Sequence, residues 1–306
     1  MANLEISRAQ RLDQYVAERL PLLSRAFAAK LINDGFVTLN GKVCNKPGLK
    51  LRGGEVIVID YDEHKLAIIP EIELPIVYED DDCVAVVKPA GLLTHSKGVF
   101  NPEATVATWL RSRLNIPDMG QNLEADTTDI SATVHNQRVG IVHRLDRATS
   151  GIMICAKNTE ALSWLQKQFG QRKVKKTYIA IVKGSLKQPH ALIDMAIERN
   201  PKHPQTFRVG INGKSAQTEY RVIETTTLYS LVELKPTTGR THQLRVHLDE
   251  IGHPIVGDTL YNGVKADRLY LHAQELEITL PNRERQTFTA ELPVEFKKFM
   301  EAPSNR

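Results

Sequence analysis

After residue 140 the chain carries one strand pattern after another, and few folds accommodate that. "GIMICAK", "KTYIAIVKG", "QTEYRVIETTTLYSLVELKP" and "ELEITL" all read as strands. Helical patterns interrupt them only at 158–170 and 240–251. Strands and helices therefore do not alternate as they do in a parallel βαβ array. The expected class is α+β, with a mixed, mainly antiparallel sheet flanked by helices. The same region extends upstream to "IVYEDDDCVAVVKPAGLLTH", read as strand, acidic turn, strand and a stop at Lys88-Pro89. Residues 101–112 look helical, and the polar, poorly patterned stretch 116–138 is expected to form a mobile loop. There is no internal repeat and no GxxxxGK[ST] run, which argues against a nucleotide-hydrolysing enzyme.

Residues 9–62 read as a separate small α/β unit, 63–75 as a linker, and 76–300 as the main domain. In the small unit, Leu12, Tyr15, Val16 and Leu20 recur at helical spacing. A second helix is expected between Ser24, a candidate N-cap, and Gly35, a candidate C-cap. Asn40-Gly41 then signals a tight hairpin, followed by one more strand. Charge is concentrated here. Nine basic groups and three acids lie between residues 8 and 54, a surplus of six in a chain whose net charge is +4. Such asymmetry points to a polyanion-binding module.

A chain of 306 residues, 42% of them hydrophobic, is long enough for two folded domains. No apolar run approaches the roughly 20 residues of a spanning helix, so no membrane partner is expected. The opening MANLEISRAQRLDQ is too polar for a secretory leader, which makes the cytoplasm the expected location. Cys44, Cys83 and Cys155 are odd in number and far apart, suggesting neither a disulfide framework nor a zinc site. His242 and His247 lack the acid or cysteine partners of a common metal motif, so no metal is expected.

Three stretches carry chemistry. In "VHRLDRATSG", Asp146 sits between Arg144 and Arg147 and leads into the apolar run IMICA. A carboxylate with an ordinary pKa of about 4 is ionised at neutral pH, and arginines keep it so, which suits a nucleophile or base. The same pattern also fits a solvated surface cluster. In "QRKVKKTYIAIV", cations precede Tyr178 at the start of an apolar strand. That arrangement fits phosphate contacts beside an aromatic that stacks on a base, and equally a charged loop before a core tyrosine. In "GRTHQLRVHLDEIGHPIVGD", a turn leads into a helix containing His242, Gln243, Arg245 and His247. Arg245, between Leu244 and Val246, fits an inward reach to a carboxylate or phosphate, or else an exposed amphipathic helix.

Together, in this order and spacing, "HRLDRATSG", "KKTYIAIV" and "GRTHQLRVHL…GHPIVGD" resemble the signature motifs of the RluA-type RNA pseudouridine synthases, over roughly 75–295. The small unit resembles the alpha-L (S-four-like) RNA-binding domain that many members carry. The resemblance implies that Asp146 is the catalytic aspartate and that Arg144 enters the RNA stack or displaces the target base. It further implies that Tyr178 packs on that base and assists proton handling, and that Arg245 pairs with Asp146, holding it bidentately. Further RNA contacts are expected from Arg11, Ser24, Arg25, Lys30, Lys42, Lys46, Arg147, Lys173, Lys175, Lys176 and Arg240. The implied reaction isomerises uridine in RNA, with the base flipped into a pocket and no metal or organic cofactor. Large-subunit ribosomal RNA is the first expected target, transfer RNA the alternative, and a monomer the expected state. Two other classes were weighed: a non-catalytic RNA-binding or ribosome-assembly factor, and a glycoside hydrolase. The first is opposed by the retention of Asp146, Tyr178 and Arg245. The second needs a carboxylate pair, and no second acid stands in a comparable context.

Overall fold

The structure is a computed structural model and describes residues 10–20, 25–60, 69–96, 103–116 and 139–302. Ser24, residues 63–68 of the linker and residues 117–138 of the expected loop lie outside these. The chain forms two compact units, residues 1–72 with 95–139, and 73–94 with 140–306.

In the first unit, helices α1 (Leu12–Arg19) and α2 (Arg25–Asn33) precede a small sheet of β1 (Val37–Leu39), β2 (Lys42–Val43) and β3 (Ile57–Ile59). The periodic residues Leu12, Tyr15 and Val16 are buried against Ala28, Ile32, Val37 and Ile57. Gly35 ends α2 with φ 85°, as its backbone N–H returns to Ile32 and that of Phe36 to Leu31. Asn40 (φ 51°) and Gly41 (φ 79°) form the two-residue hairpin turn between β1 and β2. Helix α3 spans Val106–Arg113, starting later than the apolar pattern suggests. Its start is set by Thr105, whose Oγ1 accepts the Thr108 N–H at 3.0 Å while the Thr108 hydroxyl accepts the Thr105 N–H.

The second unit is built on a nine-stranded sheet. Its strands are β4 (Ile76–Glu79), β5 (Cys83–Lys88), β6 (Ser150–Ala156), β7 (Lys175–Lys183), β8 (His190–Asp194), β11 (Gln217–Thr225), β12 (Tyr229–Pro236), β13 (Leu271–Thr279) and β14 (Arg285–Thr289). The order is β4-β5-β6-β13-β7-β12-β11-β8, with β14 also on β13. Only β6 and β13 pair in parallel, so the sheet is mixed and mainly antiparallel, as the irregular alternation of patterns requires. β9 (Ile197–Arg199) and β10 (Phe207–Val209) form a separate two-stranded ribbon.

Three of the described helices bury apolar faces on this sheet. Helix α4 (Thr159–Gly170) sets Ala161 and Leu165 against Ile152, Ile154 and Ile278. Helix α5 (Gln243–Glu250) sets Leu244 and Leu248 against Ala180, Val182 and Val232. Helix α6 (Val294–Glu301) follows near the C-terminus and buries Phe296 and Met300. Strand β6 is buried throughout its length. At its start, Gly151 has φ 124°, and a Cβ there would collide with the backbone of Ala273. Only glycine lets β6 close onto β13 at this point, and the 144–149 loop enters there.

Candidate active site

The loop carrying Asp146 is fastened from below. Lys88, at the end of β5, is wholly buried, and its Nζ donates to the carbonyls of Pro89 (2.9 Å), Leu92 (2.8 Å) and Arg147 (3.2 Å). Burial pushes its ammonium down to about 7, while the charge of Asp146 opposes that shift. Thr94 Oγ1 donates to the Leu145 carbonyl at 2.9 Å. The sequence suggests a simple stop at Lys88-Pro89, but this lysine also ties Arg147, just after Asp146, to the sheet, while Thr94 ties Leu145 just before it.

Above the loop, α5 delivers Arg245, which is buried as the apolar neighbours suggest. Its bidentate partner is not Asp146. Nε and Nη2 donate to Asp258 Oδ2 and Oδ1 at 2.6 and 2.8 Å, and Nη1 reaches Asp146 Oδ2 at 3.5 Å. The expected pairing with Asp146 is thus present as a single long contact, and the fork is held by a buried acid in "IVGDTL". That geometry has a chemical consequence. Arg245 and His242 both face Oδ2 of Asp146, His242 Nε2 at 3.8 Å, and Oδ1 has no partner among the described residues. The two carboxylate oxygens are thus inequivalent, one facing cationic or donor groups and the other not.

His242 lies just outside α5, in a left-handed conformation with φ 58°, rather than inside the helix. The turn before it is fixed by Gln243, whose Oε1 accepts from Thr238 Oγ1 (2.6 Å) and the Arg240 N–H (3.1 Å). The amide nitrogen of Gln243 donates to the Gln217 carbonyl and Thr218 Oγ1. With all its groups engaged, this side chain holds residues 238–242 against the sheet.

β7 supplies the opposite wall. Strand periodicity puts Lys176 and Tyr178 on one face and Lys175 on the other. Lys175 accordingly lies outside the residues lining the cleft and pairs with Glu277 at 3.2 Å, with its side chain exposed. Burial, aided by the Asp146 charge, raises the Tyr178 phenol far above its usual range, so it stays protonated. Lys176 donates to the Thr238 carbonyl at 3.0 Å, and burial pushes its ammonium down to about 8.

Asp146, Tyr178, Arg245, Arg144, Lys176 and Arg240 all line one cleft of about 120 Å³, in which Asp146 is the sole acid among the described residues. A second cavity of about 470 Å³ shares Arg144, Lys176, Tyr178 and Arg240 with it and adds Arg172, His143 and Phe169. Arg172 thus lines a cavity that the expected Lys173 does not. His143 stacks on Phe169 at 4.6 Å and accepts the Ile154 N–H, and burial pushes its imidazole down to about 3. Arg144 is exposed at the rim and forms no ion pair among the described residues, while Arg147 is exposed and reaches the Gly91 carbonyl at 3.5 Å. In the first unit Lys30, Lys42 and Lys46 are exposed, whereas Arg11 and Arg25 both pair with Asp13 at 3.0 Å. Sequence reasoning missed Asp258, Lys88 and Tyr261. The one available signal was an isolated acid in a Gly-Pro-rich apolar run.

The sequence matches the RNA pseudouridylate synthase family over residues 82–250 and the S4 domain over 10–57. It is 40% identical to the "Uncharacterized RNA pseudouridine synthase" of Aquifex aeolicus, over 82% of this chain and 77% of that protein. It is 35% identical to the "Ribosomal large subunit pseudouridine synthase D" of Borreliella burgdorferi, over 95% of this chain and 89% of that one. The solved structure of "Human RNA Pseudouridylate Synthase Domain Containing 1" is similar in fold, with a TM-score of 0.57 and 29% identity, covering 76% of this chain and 86% of that chain. These matches put the chain among the RNA-modifying isomerases. The chain belongs to the RNA pseudouridylate synthase family.

Proposed function

We propose that the protein converts specific uridines of large-subunit ribosomal RNA to pseudouridine, with Asp146 as the catalytic carboxylate. The observation that carries this reading is the half-open carboxylate. Arg245 faces Oδ2 of Asp146, and among the described residues Oδ1 accepts no hydrogen bond and no other acid lines the cleft, which is walled by Tyr178. A two-carboxylate hydrolysis finds no second acid among those residues. In the reaction the C1′–N1 bond breaks, the uracil turns, and C5 bonds to C1′ as a proton leaves C5. Asp146 Oδ1 either attacks C1′ or takes the C2′ proton to give a glycal. Tyr178, held protonated, packs on the base; the C5 proton leaves to water and N1 takes one up, so the isomerisation is balanced in protons.

A base inside a helix cannot reach so narrow a cleft, so the uridine is flipped out, and Arg144 at the rim takes its place in the stack. Lys176, Arg172 and Arg240 line the adjoining cavity and hold neighbouring phosphates. The exposed lysines of the first unit add salt-sensitive, sequence-independent affinity. Six of the similar curated proteins have "Ribosomal large subunit" in their names, which supports the choice of ribosomal RNA. The same reading has the enzyme acting as a monomer in the cytoplasm, without cofactor.

Tritium release from RNA labelled at uracil C5 is the test, with ribosomal and transfer RNA in separate arms. Wild type is expected to release tritium from ribosomal RNA. Asp146→Asn is expected to lose turnover by about 10³-fold or more while binding RNA within a few-fold of wild type. Release from transfer RNA alone would move the substrate. Normal turnover by the variant would remove Asp146 from the chemistry.

A further inference from the structure

His242 is a residue for which local structure gives no reason. It occupies the N-cap of α5 with φ 58°, and its side chain makes no capping hydrogen bond. Asparagine tolerates left-handed backbone better and caps helices better. Non-glycine residues held in that region persist where surrounding contacts over-determine them, and they cluster at functional sites.

Here the contacts are specific. The imidazole lies edge-on to Tyr261 and Phe207, with ring centroids 5.5 and 5.7 Å away, so its plane is fixed. Its Nδ1 is 2.7 Å from Tyr261 Oη, and that oxygen accepts the Phe207 backbone N–H at 2.9 Å. With the Phe207 N–H already donated to its oxygen, the tyrosine has its own proton free to give to His242 Nδ1, 2.7 Å away. An imidazole that accepts at Nδ1 bears its proton on Nε2, and Nε2 is the nitrogen 3.8 Å from Asp146 Oδ2. Tyr261 also lies under Arg245, whose guanidinium carbon is 4.9 Å from the ring centroid. One tyrosine therefore supports both groups that face the same carboxylate oxygen.

We propose that His242 is a positioning residue for Asp146. Tyr261 presents it in the Nε2–H form, and with Arg245 it holds Oδ2 so that Oδ1 faces the sugar. The 3.8 Å gap closes to a hydrogen bond when a nucleotide fills the cleft, as such contacts commonly tighten on substrate binding. The chain then runs from the Phe207 amide, on the β9–β10 ribbon, through Tyr261 and His242 to the carboxylate. This inference rests on the reading of Asp146 as the catalytic acid.

The decisive variant is His242→Asn, which suits the backbone and the cap but cannot span to Asp146. Its Tm is expected to equal or exceed that of wild type. Its kcat is expected to fall about 10- to 100-fold, the worth of one hydrogen bond to a charged group, with KM for RNA within about twofold. Tyr261→Phe should lower kcat in the same direction and by less. A His242→Asn variant with wild-type kcat would overturn the proposal, as would a loss confined to KM or to stability. ¹⁵N spectra of histidine-labelled protein, with the His242 signal assigned by its loss in His242→Asn, provide a readout that needs no turnover. Nδ1 should resonate as an unprotonated nitrogen, and the Nε2 signal should move in Asp146→Asn. A proton found on Nδ1 would overturn the proposal. If wild type turned over no RNA at all, the function would fall, and the spectra would still decide whether His242 addresses Asp146.

Discussion

Asp13 and Asp258 are both held by arginine, one near the surface and one buried beside the cleft. Asp13, in the first unit, is 6% exposed and is flanked by Arg11 and Arg25, which are 46% and 50% exposed. Asp258, in the second unit, is 1% exposed and is forked by Arg245, which is 7% exposed. The first cluster is an acid beneath a solvated pair of cations, where water screens most of the attraction. The second is a desolvated pair in which removing either partner strands a charge. The surface cluster has two arginines for one acid. The buried one has one arginine for two acids, and its spare N–H is what reaches Asp146. A charged run becomes machinery when its partners are buried and its stoichiometry leaves one reactive atom open.

The largest effect is expected where that buried fork is broken. Asp258→Ala leaves the Arg245 guanidinium without its bidentate partner, at a cost of about 3–5 kcal/mol of stability. The freed guanidinium turns to clasp both oxygens of Asp146, taking Oδ1 out of service, and kcat should fall by about 10²-fold. Denaturant unfolding and tritium release measure the two effects. Unaltered stability would show that the buried fork is no different in kind from the surface cluster.

That fork also marks how far the sequence could be read. The class of sheet followed from strand patterns that outnumber helices, because alternation is a local property of the chain. The approach of Arg245 to Asp146 across 99 positions was legible because both lie in motifs with strong context. Asp258 was not legible. A single acid in "IVGDTL" has no local feature that says whether a fold will bury it, and only the packing of α5 against the following loop does so. The choice between Lys175 and Lys176 was open for a related reason. Both sit in one run of cations, and strand register alone decides that one meets Glu277 and the other the cleft. Lys88 was read by its effect on the backbone, while its worth lies in joining the nearby carbonyls of Pro89 and Leu92 to that of Arg147, far away in the chain.

A smaller effect separates the two kinds of cation by pH. The buried Lys176 ammonium titrates at about 8, below an ordinary lysine. It is charged at pH 6–7 and loses its proton as pH rises through that value, so any phosphate contact it makes weakens in that direction. KM for RNA should rise by about 3- to 10-fold between roughly pH 7 and 9, with little change in kcat at saturation. Lys176→Arg, which keeps its charge throughout, should flatten the profile, and Lys176→Met should hold KM high at every pH. A profile that stays steep in the arginine variant would assign the titration to another group.

The smallest effect is expected at Asp13, and its sign is informative. Asp13→Asn releases Arg11 and Arg25 from their shared carboxylate. If the two arginines act on RNA as mobile surface charges, freeing them steepens the fall of affinity with salt, by no more than about one phosphate contact's worth, a change of roughly 0.7–0.9 in the log–log slope. Turnover at saturating RNA should stay within about twofold of wild type, since a screened surface pair carries little energy. If the slope instead becomes shallower and affinity drops, Asp13 is orienting its arginines toward phosphate as Asp258 orients Arg245 toward Asp146. The surface cluster would then be a positioned site in its own right, and the difference between the two clusters would be one of burial alone.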